Sequence, residues 1–433
     1  MTIWPDVGVA IPELLLPAPG VDPAKFAVIA CDQYTAEPEY WQRVEALVGD
    51  APSALRLIYP EVYLNQPDRT RRIAAINQTM AAYLRQGVLT PQRPGLTLVR
   101  RRVSGGERWG LVLAVDLERY DFHPGAKALI RATEGTILSR IPPRVEIRRD
   151  APAEFPHIML LIDDPRRTVI EPLRQRDLPV RYDFELMLGG GRITGYEVSE
   201  GLAPIHAALS ALAAGAGEEE GDPMLFAVGD GNHSLATAKA CWEAVRATLP
   251  AGAEHPARYA LVEVVNLHDP ALVFEPIHRV VFGAGGEVLA ALRQSLAPLG
   301  LREVPCAGWT EALERIRACH GFVAGGEAGY AAMILEQPRR ELPVATLQEA
   351  LDALRLGERL DYVHGDETAA QLGARPGNAC FLLPGMDKSQ LFPAVAKDGV
   401  LPRKTFSMGH AQEKRYYMEG RILRSIDNTG NLR

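Results

Sequence analysis

One segment in the middle of the chain joins an apolar run to a helix through a turn with two glycines. Met224–Val228 is predicted to be a buried strand, Gly229–Ser234 (GDGNHS) is the turn, and a helix is predicted from about Ser234 to Leu249. A strand followed at once by a helix is typical of sheets covered by helices. The segment therefore predicts an α/β fold.

The rest of the chain repeats this alternation of short apolar runs and amphipathic helices. Strands are predicted at Lys25–Ala30, Thr97–Val103, Arg108–Leu117, His157–Asp164, Ala257–Leu267 and twice within Arg181–Val198; helices are predicted at Glu37–Gly49, Asp68–Gly87 and Gly201–Gly215. Residues 217–223 (GEEEGDP) are predicted to be an exposed polar loop. Some of the predicted strands form hairpins and others lead directly into a helix. The sequence therefore predicts an α+β arrangement with a mixed sheet.

The chain is too long for one ordinary core. Its 433 residues exceed the roughly 100–200 residues of a typical domain. The pattern of predicted elements changes near residue 283, after which short helices and strands alternate. We therefore expect a large domain over residues 1–283 and a smaller α/β lobe over 284–433. The lobe is predicted to close on a basic turn that enters a helix within Leu401–Leu423.

Composition excludes several classes of protein. The net charge of −7, from 47 basic and 54 acidic residues, gives no general attraction to nucleic acid or to an anionic membrane. No apolar run reaches the roughly 18 residues of a membrane span, and the first residues lack a basic signal-peptide start. We expect a cytoplasmic protein that acts on a small molecule, without nucleic acid or membrane partners. A homodimer stays open.

Cysteine usage excludes a disulfide framework. The five cysteines are scattered and form no Cys-x-x-Cys pair, so neither a zinc knuckle nor a redox pair is indicated. Reduced, mostly buried thiols are expected.

The glycine-rich turn has the backbone features of a phosphate site. A helix N-terminus presents unpaired N–H groups and the positive end of its dipole. Gly229 and Gly231 allow a tight turn and the close approach of a ligand. The turn is neither a Walker A loop nor a Rossmann fingerprint. A capped strand–helix junction with no ligand is the alternative.

The side chains of the turn add donors and a carboxylate. Asp230 is placed to hold a divalent cation or to act as a base, and Asn232 and His233 are placed to donate to a phosphate. Ser234 is a candidate for the helix cap.

A second candidate cluster lies in Leu129–Asp150. Glu134 stands between Arg131 and Arg140, and arginine forks match phosphate and carboxylate geometry. A solvated charged face is the alternative. In a third segment, Cys31, Asp32 and Gln33 follow a predicted strand, where α/β folds commonly place ligand groups.

Three further segments carry weaker signals. His278 beside Arg279 follows an apolar strand, although a lone histidine is usually structural. Lys404 belongs to a basic pair that suits an anion or a plain surface. Asp163 and Asp164 suit Mg²⁺ or an Asp-Pro turn.

Five of these segments together resemble one protein family. ACDQYTAEPEYW, Arg-Ala-Thr-Glu, DGNHS, NLHDPALVFEPIHR and LPRKTF are similar, in order, to blocks of the bacterial and archaeal domain-of-unknown-function family ten-fifteen, over about residues 5 to 425. The Asp-Gly-His-His-Arg block of that family resembles the phosphate-binding turn of the ParB–sulfiredoxin superfamily, which includes free-serine kinases. The resemblance implies a ParB/sulfiredoxin-like large domain.

The resemblance carries over to part of the turn only. Asp230, Gly231 and His233 match the first, second and fourth positions of the block, whereas Asn232 stands for the first His and Ser234 for the Arg. The missing arginine removes a strong phosphate partner.

Other cations are candidates for that role. Arg140, Arg279 and Lys404 are able to supply the charge, with His278 beside them, and Glu134 is implied by its block position as the base that activates an acceptor hydroxyl. The turn of this chain has no cysteine, which disfavours a sulfiredoxin-like reductase.

The resemblance implies a nucleotide-dependent phosphotransferase that uses ATP or ADP with Mg²⁺ on Asp230. The implied acceptor is a small hydroxyl metabolite such as serine, with Asp32 and Gln33 on the substrate. Two alternatives stay open: a phosphatase-like hydrolase of a small phosphoester, and a nucleotide-binding regulatory protein.

Overall fold

The computed structural model describes residues 2–64, 66–215 and 223–424. In these ranges the strands are β1 (Thr2–Trp4), β2 (Val9–Ile11), β3 (Leu15–Pro17), β4 (Val28–Ile29), β5 (Leu89–Pro91), β6 (Leu96–Val103), β7 (Gly106–Asp116), β8 (Tyr120–Asp121), β9 (Ile130–Ala132), β10 (Ala153–Glu154), β11 (Met159–Ile162), β12 (Val180–Glu185), β13 (Arg192–Val198), β14 (Phe226–Asp230), β15 (Tyr259–Asn266), β16 (Phe274–Val281), β17 (Leu301–Cys306), β18 (Gly321–Gly326), β19 (Gly329–Leu335), β20 (Leu360–His364), β21 (Ala379–Leu382), β22 (Phe406–Met408), β23 (Tyr416–Tyr417) and β24 (Arg421–Ile422).

The helices lie between these strands. They are α1 (Pro23–Phe26), α2 (Pro38–Val48), α3 (Arg69–Arg85), α4 (Ile141–Arg148), α5 (Ala203–Gly215), α6 (Asn232–Arg246), α7 (Gly285–Leu296), α8 (Trp309–Ile316), α9 (Pro343–Ala353), α10 (Asp366–Gly373) and α11 (Leu391–Asp398). Among the described residues, no helix combines the length and the apolar character that crossing a membrane requires.

The chain forms two compact units. The first runs up to Leu272 and resumes at His410, and the second is Val273–Gly409. The boundary lies before the expected residue 283, and the closing segment belongs to the first unit from His410 onward instead of lying wholly in the smaller lobe. The reason is strand pairing, because β23 pairs with β4 and β24 pairs with β10.

The first unit is built on an eleven-stranded mixed sheet. Its main path is β12-β13-β6-β7-β15-β11-β14-β9-β8, with β2 on β7 and β1 on β2. The pairs β11–β15, β14–β9 and β8–β9 are parallel, whereas the other pairs along the path are antiparallel. The mixed α/β sheet predicted from the sequence is therefore confirmed.

Helices cover both faces of this sheet. In β7, Leu111 and Leu113 pack into one apolar cluster and Val112 packs into the other, as the period of a strand requires. Helices α5 and α6 supply the first cluster, and α2 and α3 supply the second. The result is three layers with the sheet in the middle.

The centre of the sheet contains a buried charge. All residues of β15 are buried, including Glu263, which accepts a hydrogen bond from Arg415 of the closing segment. Arg415 also bonds Glu419, at 2.8 Å. A buried ion pair is costly to break because one charge is then left without a partner. These contacts hold the closing segment against the sheet.

The second unit has its own sheet. The order is β17-β19-β18-β21-β16-β20, with β22 beside β16, and the pairs are antiparallel. Helices α8 and α10 pack on it through a cluster that includes Ile316, Ala369 and Ala370.

Most elements lie near their predicted positions, and two differ. Lys25–Ala30 is a strand only at Val28–Ile29, because α1 occupies the residues before it. The helix predicted in the closing segment is wrong: Tyr416 and Tyr417 are both buried and pair with β4. Most of the polar loop predicted at 217–223 lies outside the described residues.

Candidate functional site

Three strand ends meet at one end of the large sheet, which we call the turn end. Ala132 of β9 lies opposite Val228 of β14 in parallel register, and Met159 of the antiparallel β11 lies opposite Asp230. The carboxyl ends of β9 and β14 and the amino end of β11 are therefore neighbours. This arrangement brings together the segments that contain Glu134, Asp230 and His157.

The turn after β14 depends on a left-handed glycine. Gly231 has φ +81°, and a Cβ there would lie 3.1 Å from the Cα of Ile158. Both the dihedral angle and the close approach of β11 favour glycine. Helix α6 begins at Asn232, so Ser234 is its third residue and does not cap it, in contrast to the expectation.

Asp230 has a cation beside it. Its Oδ1 accepts a hydrogen bond from the N–H of Gly231 at 3.0 Å, and its Oδ2 lies 3.3 Å from Nζ of Lys414. Lys414 belongs to the closing segment, which the sequence assigned to the other domain. Because both charges are partly buried, the pair is shielded from solvent.

The residues at the turn end do not form a metal site by themselves. Among the described residues, no group of three or more His, Cys, Asp or Glu side chains is arranged to hold a metal ion. The charge of Asp230 is already matched by Lys414. Mg²⁺ on Asp230 stays a sequence prediction, and no step proposed below passes through a metal.

The first residues of α6 contact the segment after β9. The hydroxyl of Thr133 donates to the carbonyl of Val228 at 2.6 Å, and Nδ2 of Asn232 lies 3.5 Å from that hydroxyl. Nε2 of His233 accepts from the N–H of Ile137 at 3.2 Å. Oδ1 of Asn232 is buried and has no hydrogen-bond partner within the described ranges. A buried acceptor of this kind normally has a partner, so a donor is expected there when a ligand binds.

Glu134 and Arg140 lie on the connection from β9 to α4. Glu134 is half-buried, directly after Thr133, at the turn end. Arg140 is exposed at the end of the 3₁₀ turn Leu138–Arg140, and its carbonyl accepts from Arg144 at 2.8 Å. Both remain candidates, as base and phosphate contact, in the same unit as the turn.

A buried histidine that sequence reasoning missed joins two predicted segments. His157 Nε2 lies 3.2 Å from the hydroxyl of Ser234 and 3.4 Å from Oδ2 of Asp32. Its Nδ1 lies 2.7 Å from the hydroxyl of Tyr417, which also accepts from the N–H of Cys31 at 3.0 Å. The Asp32 segment and the GDGNHS turn therefore meet at His157.

The His157–Asp32 pair is charged. Burial alone lowers the pKa of a histidine, but the adjacent Asp32 carboxylate holds the pKa of His157 well above its usual range. Burial likewise opposes ionisation of Asp32, yet His157 and a hydrogen bond from Gln33 hold the pKa of Asp32 below its usual range. Gln33 donates from Nε2 to Asp32 Oδ1 at 2.9 Å, so it orients the carboxylate.

A cavity of about 140 Å³ opens beside this pair. It extends from Ser234 and His157 along α4, α3 and the segment 57–64. Its lining residues are Cys31, Leu57, Ile58, Tyr59, Glu61, Leu64, Met80, Arg144, Ile147, Arg148, Ala151, Ala153, Glu154, Phe155, Pro156, His157, Ile158, Ser234, Thr237 and Tyr417. A concave surface with mainly apolar walls and a few polar groups is typical of small-molecule sites.

The remaining predicted residues lie in the second unit. His278 is buried, with Nε2 2.7 Å from Asp366 and Nδ1 accepting from the N–H of Leu383 at 3.1 Å. The Arg279 guanidinium donates to Gln348 at 3.0 Å and to the carbonyls of Ile277, Arg403 and Lys404. These contacts give Arg279 a structural role within its own unit, and Lys404 lies there with a positive φ of 58°.

The Asp163–Asp164 pair lies at the other end of the sheet because β11 is antiparallel to β14. Asp164 accepts from the N–H groups of Thr168 and Val169, at 2.5 and 3.0 Å, and Asp163 lies 2.6 Å from His268. The pair forms a turn. The same strand direction places His157, at the start of β11, in the site.

Comparison with solved structures shows weak similarity. Free serine kinase in complex with AMP matches with a TM-score of 0.40 and 12% identity, over 71% of this chain and 90% of that chain. A mutant of free serine kinase in complex with ADP gives 0.40 and 12%, over 71% and 91%. A conserved hypothetical protein from Pyrococcus furiosus gives 0.36 and 12%, over 71% and 90%. TM-scores of this size are too low to support an inference about activity.

Sequence comparison gives a clearer result. Among curated proteins, none matches this chain. The profile of one family, described as "Protein of unknown function (DUF1015)", matches residues 15–354, which is most of the chain. The family identified from the sequence blocks is confirmed: the chain belongs to the DUF1015 family.

Proposed function

We propose that this protein is a nucleotide-dependent phosphotransferase that acts on a small hydroxyl compound. One observation carries the proposal. The turn end of the sheet combines the N-terminus of α6, preceded by a left-handed glycine, with carboxylates from two adjacent parallel strands. Phosphoryl transfer requires mainly positioning and charge neutralisation, which such a site supplies.

The N-terminus of α6 is the proposed phosphate contact. Its first N–H groups lack partners within the helix, and the helix dipole favours an anion there. Gly231 and Asn232 start this helix. His233 and Ser234 add side-chain contacts, and Arg140 is the predicted cation that lies in the same unit as the turn.

Lys414 is the cation that replaces the missing arginine of the turn. It lies 3.3 Å from Asp230, so it is held at the turn by an ion pair. An incoming phosphate would share this ammonium with Asp230. The proposal therefore rests on first-unit residues and does not need His278, Arg279 or Lys404.

Glu134 is the proposed base. The acceptor oxygen forms a bond to the terminal phosphorus of ATP or ADP, and the bond from that phosphorus to the bridging oxygen breaks. The hydroxyl proton passes to the Glu134 carboxylate. Mg²⁺, when it accompanies the nucleotide, neutralises phosphate charge. Asp32 and Gln33 are proposed to act on the acceptor side, through His157.

Phosphorus NMR of reaction mixtures tests the proposal. The full-length protein is incubated with ATP or ADP, Mg²⁺ and a panel of hydroxyl compounds that includes serine. A new phosphoester that forms only with nucleotide is expected, and it should be lost in Glu134→Gln. Glu146→Gln is the matched control, because Glu146 of α4 pairs with Arg69 of α3, 3.0 Å away, and is not part of the site. Phosphate release from phosphoserine without nucleotide would instead support a hydrolase.

A further inference from the structure

We propose that the cavity beside the turn selects a neutral alcohol with an apolar body, larger than serine, as the acceptor. This inference deepens the proposed function and rests on it, because the ligand of the cavity is an acceptor only if the protein transfers a phosphoryl group. The binding preference itself is a property of the cavity alone. It follows from where the cavity begins, what forms its walls and how its charges are paired.

The cavity begins at the turn. Ser234 and Thr237 lie one helical turn apart on α6 and face the cavity, while Asn232 and His233 contact Thr133 and Ile137 on the other side. A molecule in the cavity therefore has one end at the first turn of α6. That end is next to Ser234, one of the proposed phosphate contacts.

The walls of the cavity are mainly apolar. Leu57, Ile58 and Leu64 come from one segment, Met80 from α3, Ile147 from α4, and Ala151, Ala153, Phe155 and Pro156 from the residues around β10. Apolar walls of this extent contribute to affinity in proportion to the apolar area that the ligand buries. Serine has a single methylene group and offers little such area.

The charged side chains that line the cavity all have partners of opposite charge. Glu61 is paired with Arg144, and Arg148 lies 2.5 Å from Glu154. His157 is paired with Asp32, 3.4 Å away. Glu154 also accepts from Arg421 at 2.9 Å, so two arginines share this carboxylate. A free amino acid would bring an ammonium group into a site where no carboxylate is left to pair with it. Burying an unpaired ammonium group is strongly unfavourable, so the cavity favours a molecule without one.

The polar groups at the inner end suit a hydroxyl. The hydroxyls of Ser234 and Tyr417 lie 3.2 and 2.7 Å from the ring nitrogens of His157. A few polar groups at one end of an apolar pocket fix the orientation of a ligand. An alcohol oxygen bound there is able both to donate and to accept a hydrogen bond.

Calorimetric titration of the full-length protein with 2-naphthalenemethanol tests the inference. We expect saturable binding, with 2-(aminomethyl)naphthalene at least about tenfold weaker, because its ammonium group has no carboxylate to pair with. L-serine should not compete. Binding of the amine or of serine as tight as that of the alcohol would overturn the proposal. Equal affinity for 2-methylnaphthalene would overturn the role of the hydroxyl.

Variants locate the binding. Ile147→Trp fills the cavity from α4, and Leu64→Trp fills it from the opposite segment; both positions are half-buried and therefore tolerant. Each variant is expected to bind the alcohol more weakly, by about tenfold or more. Leu138→Trp is the control, because Leu138 is 64% exposed and outside the cavity. Unchanged binding in both cavity variants would place the probe elsewhere and overturn the inference.

A parallel titration with ADP separates this inference from the proposed function. Binding of ADP without binding of the alcohol would overturn the cavity preference alone. Binding of the alcohol without ADP would contradict the phosphotransferase and leave the preference of the cavity for neutral alcohols standing.

Discussion

Each unit of this protein buries a histidine against a carboxylate, and the two pairs carry different charge. In the first unit, Asp32 keeps the pKa of His157 well above its usual range, although burial opposes this. In the second unit, burial outweighs the nearby Asp366 and, with Arg279, lowers the pKa of His278. The two shifts therefore favour the protonated form of His157 and the neutral form of His278.

The exposure of the carboxylate explains the difference. The side chain of Asp32 is 27% exposed and that of Asp366 is 42% exposed, so water screens the second pair more. Hydrogen bonds agree with this. Nδ1 of His278 accepts from the N–H of Leu383, which requires an unprotonated nitrogen, whereas Nδ1 of His157 faces the hydroxyl of Tyr417.

The largest effect is expected on the rate of phosphotransfer, when the turn after β14 is altered. Asp230→Asn should keep the hydrogen bond from Gly231 and lose the ion pair with Lys414, which lowers the phosphotransfer rate by about a hundredfold or more. Asp366→Asn, in the second unit, should leave the rate within about twofold. Initial rates with ATP or ADP measure both. An unchanged rate in Asp230→Asn would remove the turn from the site.

The second-largest effect is expected on the free energy of unfolding, when either carboxylate is removed. Asp32→Ala leaves His157 buried without its carboxylate, and we expect a loss of about 2 kcal/mol in the free energy of unfolding. Asp366→Ala should cost only about 0.5 kcal/mol, because it removes a single hydrogen bond between the imidazole of His278 and a partly exposed carboxylate. Urea unfolding gives both values. Equal losses would contradict the difference between the pairs.

Two glycines at helix starts give a smaller contrast. Gly231 and Gly365 precede α6 and α10 with φ +81° and +89°. A Cβ at Gly231 would also press on β11, whereas at Gly365 the nearest atom, Oγ1 of Thr368, is 3.7 Å away. We expect Gly365→Ala to cost about 1 kcal/mol from the backbone alone, and Gly231→Ala about 2 kcal/mol. Thermal unfolding tests the order, and a reversed order would show that contact with β11 is unimportant.

The smallest effect is the pH dependence of stability, with opposite sign at the two histidines. The raised pKa of His157 gives stability that is present below the unfolded pKa of about 6.5 and is lost as the pH rises through the folded pKa. The lowered pKa of His278 gives stability that is present above about 6.5 and is lost as the pH falls through the folded pKa.

Replacing each histidine by glutamine tests the sign of the pH dependence of stability. His157→Gln should lose more stability at pH about 5.5 than at about 8, and His278→Gln should lose less at the lower pH. Histidine NMR titration provides the direct check. Loss of the proton from His157 below pH about 7 would contradict the charged pair.

The sequence predicts the sheet, most helices and the GDGNHS turn, because these depend on local apolar periodicity and on glycine. It does not predict the direction of β11, which is set by long-range pairing. The expectation that ligand groups follow strands pointed to Asp163 and Asp164, while the histidine of the site precedes the strand. The signal for His157 is only its place just before a buried run.

The contacts of the closing segment with the site also cannot be predicted from local sequence patterns. Lys414 and Tyr417 reach the site through the pairing of β23 with β4, nearly the whole chain apart. Conversely, His278 and Arg279 stand side by side in a conspicuous motif, yet their partners lie inside the second unit. Residue type alone does not separate a binding cluster from a buried network.

Titration of the full-length protein with ADP and Mg²⁺ in a calorimeter tests the central claim most directly, with wild type, His233→Ala and His278→Ala compared. The proposed site predicts saturable binding that is lost in His233→Ala and kept in His278→Ala, because only the first variant alters the turn. No heat with the wild type, or equal loss in the two variants, would contradict a nucleotide site at the turn after β14.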